Sequence, residues 1–142
     1  MVVTGGTGGM GFAAAHALVG TGTLGLVDLR EDVLGQRRRS LEEAGARVRT
    51  VRCDVTVADD VGVVADTVAQ LGGLRSLVHT AGVSPKMADG RRVLEVDLMG
   101  TVRVLDALLP HAVPGTTAVC VGSIAGYAEL APQLDPLLDN PL

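Results

Sequence analysis

Aromatic residues are almost missing from this chain of 142 residues, which has no tryptophan, one tyrosine and one phenylalanine. Because hydrophobic residues still make up 47% of the sequence, the core has to be built from valine, leucine, alanine and isoleucine. Small branched side chains of this kind are typical of parallel sheets covered by helices. With a net charge of −4 and no basic face interleaved with aromatic rings, no nucleic-acid partner is expected.

Cysteines and long apolar runs are scarce as well. Cys53 and Cys120 are far apart and have no CxxC spacing, so neither a disulfide framework nor a metal site is predicted. We expect both to be small buried side chains in a reducing compartment. No apolar run approaches the roughly 20 residues of a membrane span, and no secretory signal is recognisable. The sequence therefore predicts a cytoplasmic protein that makes no contact with membranes.

Glycine, in contrast, is abundant, with 19 residues that suit many tight turns between strands and helices. Apolar strand-like segments alternate with segments of helical periodicity along the chain. This alternation predicts an α/β fold, a Rossmann-type doubly wound parallel sheet of about five strands with right-handed crossovers. The predicted strands are 1–4, 24–29, 47–53, 74–80 and 116–121, and the predicted helices are 9–19, 31–44, 56–71 and 89–109.

Three local patterns refine this prediction. Gly45 stands where a C-cap glycine ends the second helix, and Thr56 with Asp59 has the spacing of a capping box before the third. The segment 47–53 alternates arginine with apolar residues, which is typical of an exposed or edge strand.

A glycine-rich loop, residues 4–11, follows the first predicted strand and opens the first helix. Glycines let the backbone turn sharply and approach a pyrophosphate, and the free N–H groups and dipole of the helix receive its charge. The loop therefore predicts a dinucleotide site, and its expected cofactor-binding residues are Thr4, Gly5, Thr7, Gly8, Gly9, Met10 and Gly11.

The second predicted strand ends at an acidic residue. Asp28 lies 17 positions beyond Gly11, close to the roughly 20 expected in a dinucleotide-binding unit. A carboxylate there accepts both ribose hydroxyls of NAD and repels the 2′-phosphate of NADP. Arg30 is the one nearby cation that would favour NADP. We predict NAD as the cofactor and NADP as the weaker alternative, while an aspartate that merely ends a strand is the plainer interpretation.

These motifs together resemble the N-terminal half of a short-chain dehydrogenase/reductase. The family pattern TGxxxGxG is matched by Thr4, Gly5, Gly9 and Gly11. The resemblance implies that Asp54 and Val55 contact the adenine ring of the cofactor. It also implies that a segment after the fourth strand lies beside the adenosine and supports the sheet, namely His79, Thr80, Ala81 and Gly82.

The resemblance further implies two catalytic positions. Ser123, in Val-Gly-Ser after the fifth strand, matches the serine that hydrogen-bonds the substrate oxygen. Asp97 stands where the family has an asparagine that helps to organise a proton-relay water. Plainer alternatives stay open for Ser123 as a loop serine, Asp54 as a helix cap, His79 as a structural histidine and Gly82 as a turn residue.

One family motif does not occur in the 142 residues. Hydride transfer in the family needs a tyrosine followed four residues later by a lysine, which lowers the pKa of the tyrosine. This chain has only Tyr127 and Lys86, in the opposite order. Bacterial enzymes of the 3α-hydroxysteroid dehydrogenase/carbonyl reductase group, which this chain resembles, carry a long segment between serine and tyrosine. We therefore expect residues 1–128 to form an incomplete Rossmann domain and 129–142 to be a loop or the start of that insertion.

Three functions follow from these observations. The first is an NAD(P)-dependent oxidoreductase of secondary alcohols or ketones, here a fragment that is inactive alone and a homo-oligomer when complete. The second is a non-catalytic nucleotide-binding protein. The third is an NAD-dependent epimerase or dehydratase of the extended branch, because Gly8 also satisfies TGxxGxxG. The segments 81–83 and 118–123 favour the first.

Overall fold

The structure, a computed structural model, describes residues 1–123. They form a five-stranded, wholly parallel sheet in the order β3-β2-β1-β4-β5. This order confirms the predicted Rossmann-type doubly wound sheet. Tyr127 and the predicted segment 129–142 lie outside the described residues. The strands are β1 (Val2–Thr4), β2 (Thr23–Asp28), β3 (Arg47–Arg52), β4 (Leu74–His79) and β5 (Ala112–Cys120).

Helices connect the strands, and the one before β5 is long and irregular. Within residues 1–123, no helix is both long enough and apolar enough to span a lipid bilayer. A π-helical segment, Leu94–Gly100, joins α4 to α5, and a short 3-10 turn, Leu109–His111, follows α5. The α-helices are α1 (Gly9–Ala17), α2 (Glu31–Glu43), α3 (Ala58–Gln70), α4 (Gly90–Val93) and α5 (Thr101–Leu108).

The core has two halves, one on each face of the sheet. Successive side chains of a strand point to opposite faces, and Val2 and Val3 accordingly belong to different clusters. The cluster of Val2 includes Val64 of α3 and Val104 of α5. The cluster of Val3 includes Leu34 of α2 and residues of α1. Helices therefore cover both faces, and the carboxyl ends of the strands form one edge of the sheet.

The predicted capping box at Thr56 is wrong. Helix α3 begins at Ala58, its N-cap is Val57, and no side chain caps it. The hydroxyl and backbone N–H of Thr56 instead both donate to Oδ1 of Asp54, 2.7 and 2.9 Å away. An aspartate two residues earlier forms such a turn readily and competes with the cap. Asp59 lies in the first turn of α3, where its charge suits the helix dipole.

The other local predictions concern the edge strands of the sheet, the turn after α2 and the two cysteines. Strand β3 is an edge strand, as predicted, and Gly45 follows α2 with a φ of 94°. Cys53 is buried, but the predicted burial of Cys120 is wrong. Cys120 ends β5, the other edge of the described sheet, and most residues of β5 are exposed. That strand also begins four residues earlier than predicted, at Ala112.

Candidate functional site

A cleft of about 390 Å³ opens where β1, β2, β3 and β4 end. Parallel α/β sheets bind their ligands outside the carboxyl ends of the strands, so this cleft is the candidate site. The predicted cofactor residues on its walls are Thr4, Gly5, Gly8, Asp28, Arg30, Asp54, Val55, Thr80, Ala81 and Gly82.

The other predicted site residues do not line the cleft. Thr7 is buried in the loop, and Met10 is exposed on the first turn of α1. Gly9 and Gly11 also belong to that turn. The structure brings the loop, Asp28, Asp54 and the 80–82 segment together around one space.

The glycine loop needs its glycines for two different reasons. Gly5 has a φ of +67°, and a Cβ there would lie 2.7 Å from the backbone of Thr80 and Ala81. A Cβ on Gly11 would run into the carbonyl oxygen of Gly5. In contrast, a Cβ on Gly9 would meet no atom within 4 Å beyond its chain neighbours and the backbone of its own helix. Gly5 and Gly11 are thus required by the packing of the loop, whereas Gly9 leaves open space at the start of α1.

The N-terminus of α1 fits an anionic group. Its N-cap is Gly8, no side chain caps the helix, and its first turn carries no acidic residue. The first N–H groups of a helix have no partner inside the helix, and the dipole favours negative charge there. The loop residues present are therefore suited to the pyrophosphate of a dinucleotide.

Asp28 is held firmly at the cleft. Its Oδ2 accepts a hydrogen bond from the backbone N–H of Thr7 at 3.0 Å, and its Oδ1 accepts one from the backbone N–H of Arg30 at 3.1 Å. The Arg30 guanidinium donates through Nε and Nη2 to Thr7 Oγ1, 3.1 and 2.6 Å away. Each carboxylate oxygen can accept two hydrogen bonds, so each oxygen of Asp28 can still accept another. The geometry suits a diol ligand such as a ribose.

Asp54 is held by a second set of hydrogen bonds. Besides the two bonds from Thr56 to Oδ1, its Oδ2 accepts one from Arg92 Nη2 at 3.1 Å. Burial opposes ionisation of this carboxyl, but the hydrogen bonds from Thr56 and the charge of Arg92 outweigh it and lower the pKa of Asp54. The side chain is therefore an ionised, oriented acceptor.

His79 lies fully inside the protein and joins β1 to the long helix. Its Nε2 is 3.0 Å from Thr101 Oγ1, whose hydrogen goes to the carbonyl oxygen of Asp97. Because Thr101 can then only accept, Nε2 carries the proton, and Nδ1 accepts from Thr4 Oγ1 at 2.7 Å. Burial lowers the pKa of His79, against the opposing charge of Asp97. These contacts agree with the interpretation of His79 as a hydrogen-bonded structural residue.

Asp97 lies against residues of the cleft wall, and Ser123 follows β5. Asp97 lies in the π-helical segment, a kind of irregularity that is frequent at functional sites, and its Oδ1 accepts from the Val83 N–H at 2.8 Å. Ser123 lies three residues after β5, is exposed, and follows the carboxyl end of the sheet. Their catalytic roles stay predictions.

Several residues of the cleft wall were not predicted from the sequence. Arg92 is 38 positions from Asp54, and no motif in the sequence links the two. The apolar wall residues look in sequence like ordinary strand and turn residues. Within residues 1–123, no cluster of three or more His, Cys, Asp or Glu side chains could hold a metal ion. The missed wall residues are Val27, Leu29, Cys53, Val83, Met87, Arg92 and Val96.

Known relatives of this chain include dehydrogenases. A cis-4-hydroxycyclohexanecarboxylate dehydrogenase from Sinomonas cyclohexanicum is 35% identical over 136 residues, which are 88% of this chain and 55% of the relative. An L-fucose dehydrogenase from Mus musculus is 32% identical over 78% of this chain and 43% of its own length. The chain thus spans about half the length of these curated relatives.

Solved structures show the same relationship. An NAD⁺-bound xylitol dehydrogenase superposes with a TM-score of 0.80 at 29% identity, over 89% of this chain and 53% of the other. An L-sorbose reductase from Gluconobacter frateurii, complexed with NADPH and L-sorbose, has a TM-score of 0.67 at 32% identity, over 78% and 46%. The family model described as short chain dehydrogenase matches residues 1–133. The chain therefore belongs to the short-chain dehydrogenase family of oxidoreductases.

Proposed function

We propose that this chain is the NAD-binding part of a dehydrogenase that acts on a secondary alcohol or ketone. The observation that carries the proposal is the Asp28 carboxylate, which is held at the cleft by two backbone N–H groups and retains acceptor capacity on both oxygens. A pyrophosphate would bind at the N-terminus of α1, the adenosine ribose at Asp28, and the adenine at Asp54 and Val55.

NAD is proposed over NADP because of charge at the ribose position. The Asp28 carboxylate would repel a 2′-phosphate. Arg30, two residues after Asp28, already donates twice to Thr7 and lies 3.8 Å from Asp28. Its charge is thus partly neutralised by the same carboxylate that would accept the ribose hydroxyls. Relatives of this fold use either cofactor, since the xylitol dehydrogenase holds NAD⁺ and the sorbose reductase NADPH.

For the reaction itself, the bound nicotinamide supplies the hydride acceptor or donor. Ser123 would donate a hydrogen bond to the substrate oxygen, and Asp97 would help to hold the proton-relay water. The 142 residues contain no tyrosine followed four positions later by lysine. We therefore expect this chain by itself to bind the cofactor without turnover, as a non-catalytic nucleotide-binding protein does.

The protein is proposed to be cytoplasmic and, when complete, to form a homo-oligomer. A cytoplasmic location is supported by the free thiols of Cys53 and Cys120, because thiols persist in reducing compartments. Assembly of the complete protein into a homo-oligomer stays a prediction.

Replacing Asp28 tests the cofactor assignment. Asp28→Ala removes a hydrogen-bonded charge, so NAD affinity should fall roughly tenfold, while NADP affinity should stay equal or rise. Isothermal titration calorimetry of both cofactors with parent and variant gives the ratio of the NAD to the NADP dissociation constant. The ratio matters because a loosened loop would weaken both cofactors alike.

The matched control is Asp32→Ala, which removes the same charge from an exposed position in the first turn of α2. It should leave the NAD to NADP ratio unchanged. An Asp28→Ala variant that discriminates as the parent does would show that Asp28 is not the ribose ligand.

A further inference from the structure

Arg92 closes a ring of hydrogen bonds around the Asp54 carboxylate. Its Nη2 donates to Asp54 Oδ2 at 3.1 Å, and its Nη1 donates to Thr56 Oγ1 at 3.1 Å. That hydroxyl donates in turn to Asp54 Oδ1 at 2.7 Å. The planar guanidinium therefore donates to the two groups from two separate nitrogens, which the single ammonium nitrogen of a lysine cannot do.

The ring determines which acceptor position on Asp54 is left for a ligand. Oδ1 already accepts two hydrogen bonds, from the N–H and the hydroxyl of Thr56. Oδ2 accepts one, from Arg92. Since a carboxylate oxygen accepts two, the remaining position lies on Oδ2, next to the Arg92 contact. Asp54 and Arg92 both line the cleft.

Arg92 is itself fixed before any ligand arrives. Its backbone N–H donates to Oδ1 of Asp89, the N-cap of α4, at 2.8 Å. Its Nη1 lies 3.6 Å from Glu95 Oε2, so the guanidinium is flanked by carboxylates on both sides. The side chain is 40% exposed, and its long stem is held at the wall of the cleft.

We propose that Arg92 is a positioning residue for adenine recognition, because it orients Asp54 so that Oδ2 can accept the exocyclic amine of the base. This inference rests on the proposed function. It predicts selectivity at one atom of the cofactor. Hypoxanthine carries an oxygen where adenine carries the amine, and that oxygen faces a carboxylate that has no proton to donate.

The test compares NAD with nicotinamide hypoxanthine dinucleotide, whose base carries O6 and an N1–H where adenine carries the amine and an unprotonated N1. Dissociation constants are measured by calorimetry for the parent chain and for Arg92→Met, Arg92→Lys and Arg91→Met. The parent should prefer NAD. Arg92→Met should weaken NAD about five- to tenfold and change the hypoxanthine analogue less than twofold, since loss of a charged hydrogen bond has that scale.

The two other variants are internal controls. Arg91 carries the same charge one residue earlier, is 84% exposed and pairs with Glu95, so Arg91→Met should bind both dinucleotides like the parent. Arg92→Lys keeps the charge but loses the planar group with two donor nitrogens, and it should recover part of the preference for NAD. If circular dichroism shows that Arg92→Met does not fold, the binding of the two dinucleotides is compared in Arg92→Lys instead.

Equal weakening of both dinucleotides in Arg92→Met would mean a merely structural role and would overturn the inference. Unchanged binding of NAD, or a parent without preference between the two bases, would overturn it as well. In each of these cases the parent still binds NAD, and the proposed function stands. A parent that binds neither dinucleotide contradicts the proposed function and, with it, the role of Arg92.

Discussion

Asp28 ends β2 and Asp54 follows the neighbouring β3, and both present carboxylates to the same cleft. Each is held by a backbone N–H from its own turn, Arg30 for Asp28 and Thr56 for Asp54. Each also has acceptor capacity left over. Groups that are already oriented lose little entropy when a ligand binds, so the cleft is preorganised for hydroxyl and amine donors.

His79 illustrates a different use of hydrogen bonding at the residue scale. Its two ring nitrogens are fully used by Thr4 and Thr101, and the ring has 2% exposure. The neutral form with a proton on Nε2 satisfies every partner. A second proton would have to enter on Nδ1, where Thr4 donates.

Acid should therefore destabilise the fold through His79. Because burial lowers the folded-state pKa below the ordinary 6.5, the unfolded chain binds the proton more readily. The free energy of unfolding should fall as pH decreases from about 7.5 to about 5.5, and it should be fully recovered above that range. Urea unfolding at several pH values measures this dependence.

His79→Asn provides the comparison. It should be less stable than the parent at neutral pH and should lose this part of the pH dependence, since His16 and His111 are common to both proteins. The lowered pKa of Asp54 puts its titration below the ordinary 3.8, outside the same window. Equal pH slopes in parent and variant would contradict the assignment.

At the scale of elements, the loop between β1 and α1 combines a packing requirement with an open surface. Gly11 is covered by the carbonyl of Gly5, whereas Gly9 faces free space. Substitution of each by alanine should separate stability from binding.

Gly11→Ala should destabilise the fold by about 1–3 kcal/mol, because the added methyl has no room. Gly9→Ala should keep or slightly raise the stability of the chain, by up to about 1 kcal/mol, because alanine favours a helix more than glycine does. The methyl would nonetheless lie in the first turn of α1, where the pyrophosphate is proposed to bind, and it should weaken NAD binding several-fold. Thermal unfolding and calorimetry measure the two effects. Equal loss of stability in both variants would contradict the described loop geometry.

The sequence was informative about elements with a local pattern. The glycine loop, the strand ending at Asp28 and the C-cap at Gly45 depend on neighbouring residues, so their signals lie close together in the chain. The π-helical segment 94–100 and the ring of Arg92, Thr56 and Asp54 depend on contacts between distant positions. The capping box at Thr56 failed for a local reason, since the carboxylate of Asp54, two residues earlier, takes the hydrogen bonds of Thr56.

At the scale of the whole molecule, the doubly wound sheet brings the ends of four strands together at one functional edge. Parallel alignment brings Thr4, Asp28, Asp54 and Thr80 to that edge, although they are scattered over 77 residues of sequence. Alternating strands and helices sufficed to predict this arrangement, because few topologies satisfy right-handed crossovers. The exposed faces of β5 were not predictable, since burial of an edge strand depends on what pairs with it.

The central claim is that one dinucleotide binds along this edge. The most direct test is an NAD titration of ¹⁵N-labelled chain, followed by amide chemical shifts. Amides of 5–11, 28–30, 54–55 and 80–82 should shift together with one dissociation constant, while those of α3 beyond its first turn should stay unchanged. Shifts confined to another face, or no saturable shifts from a folded chain, would contradict the account.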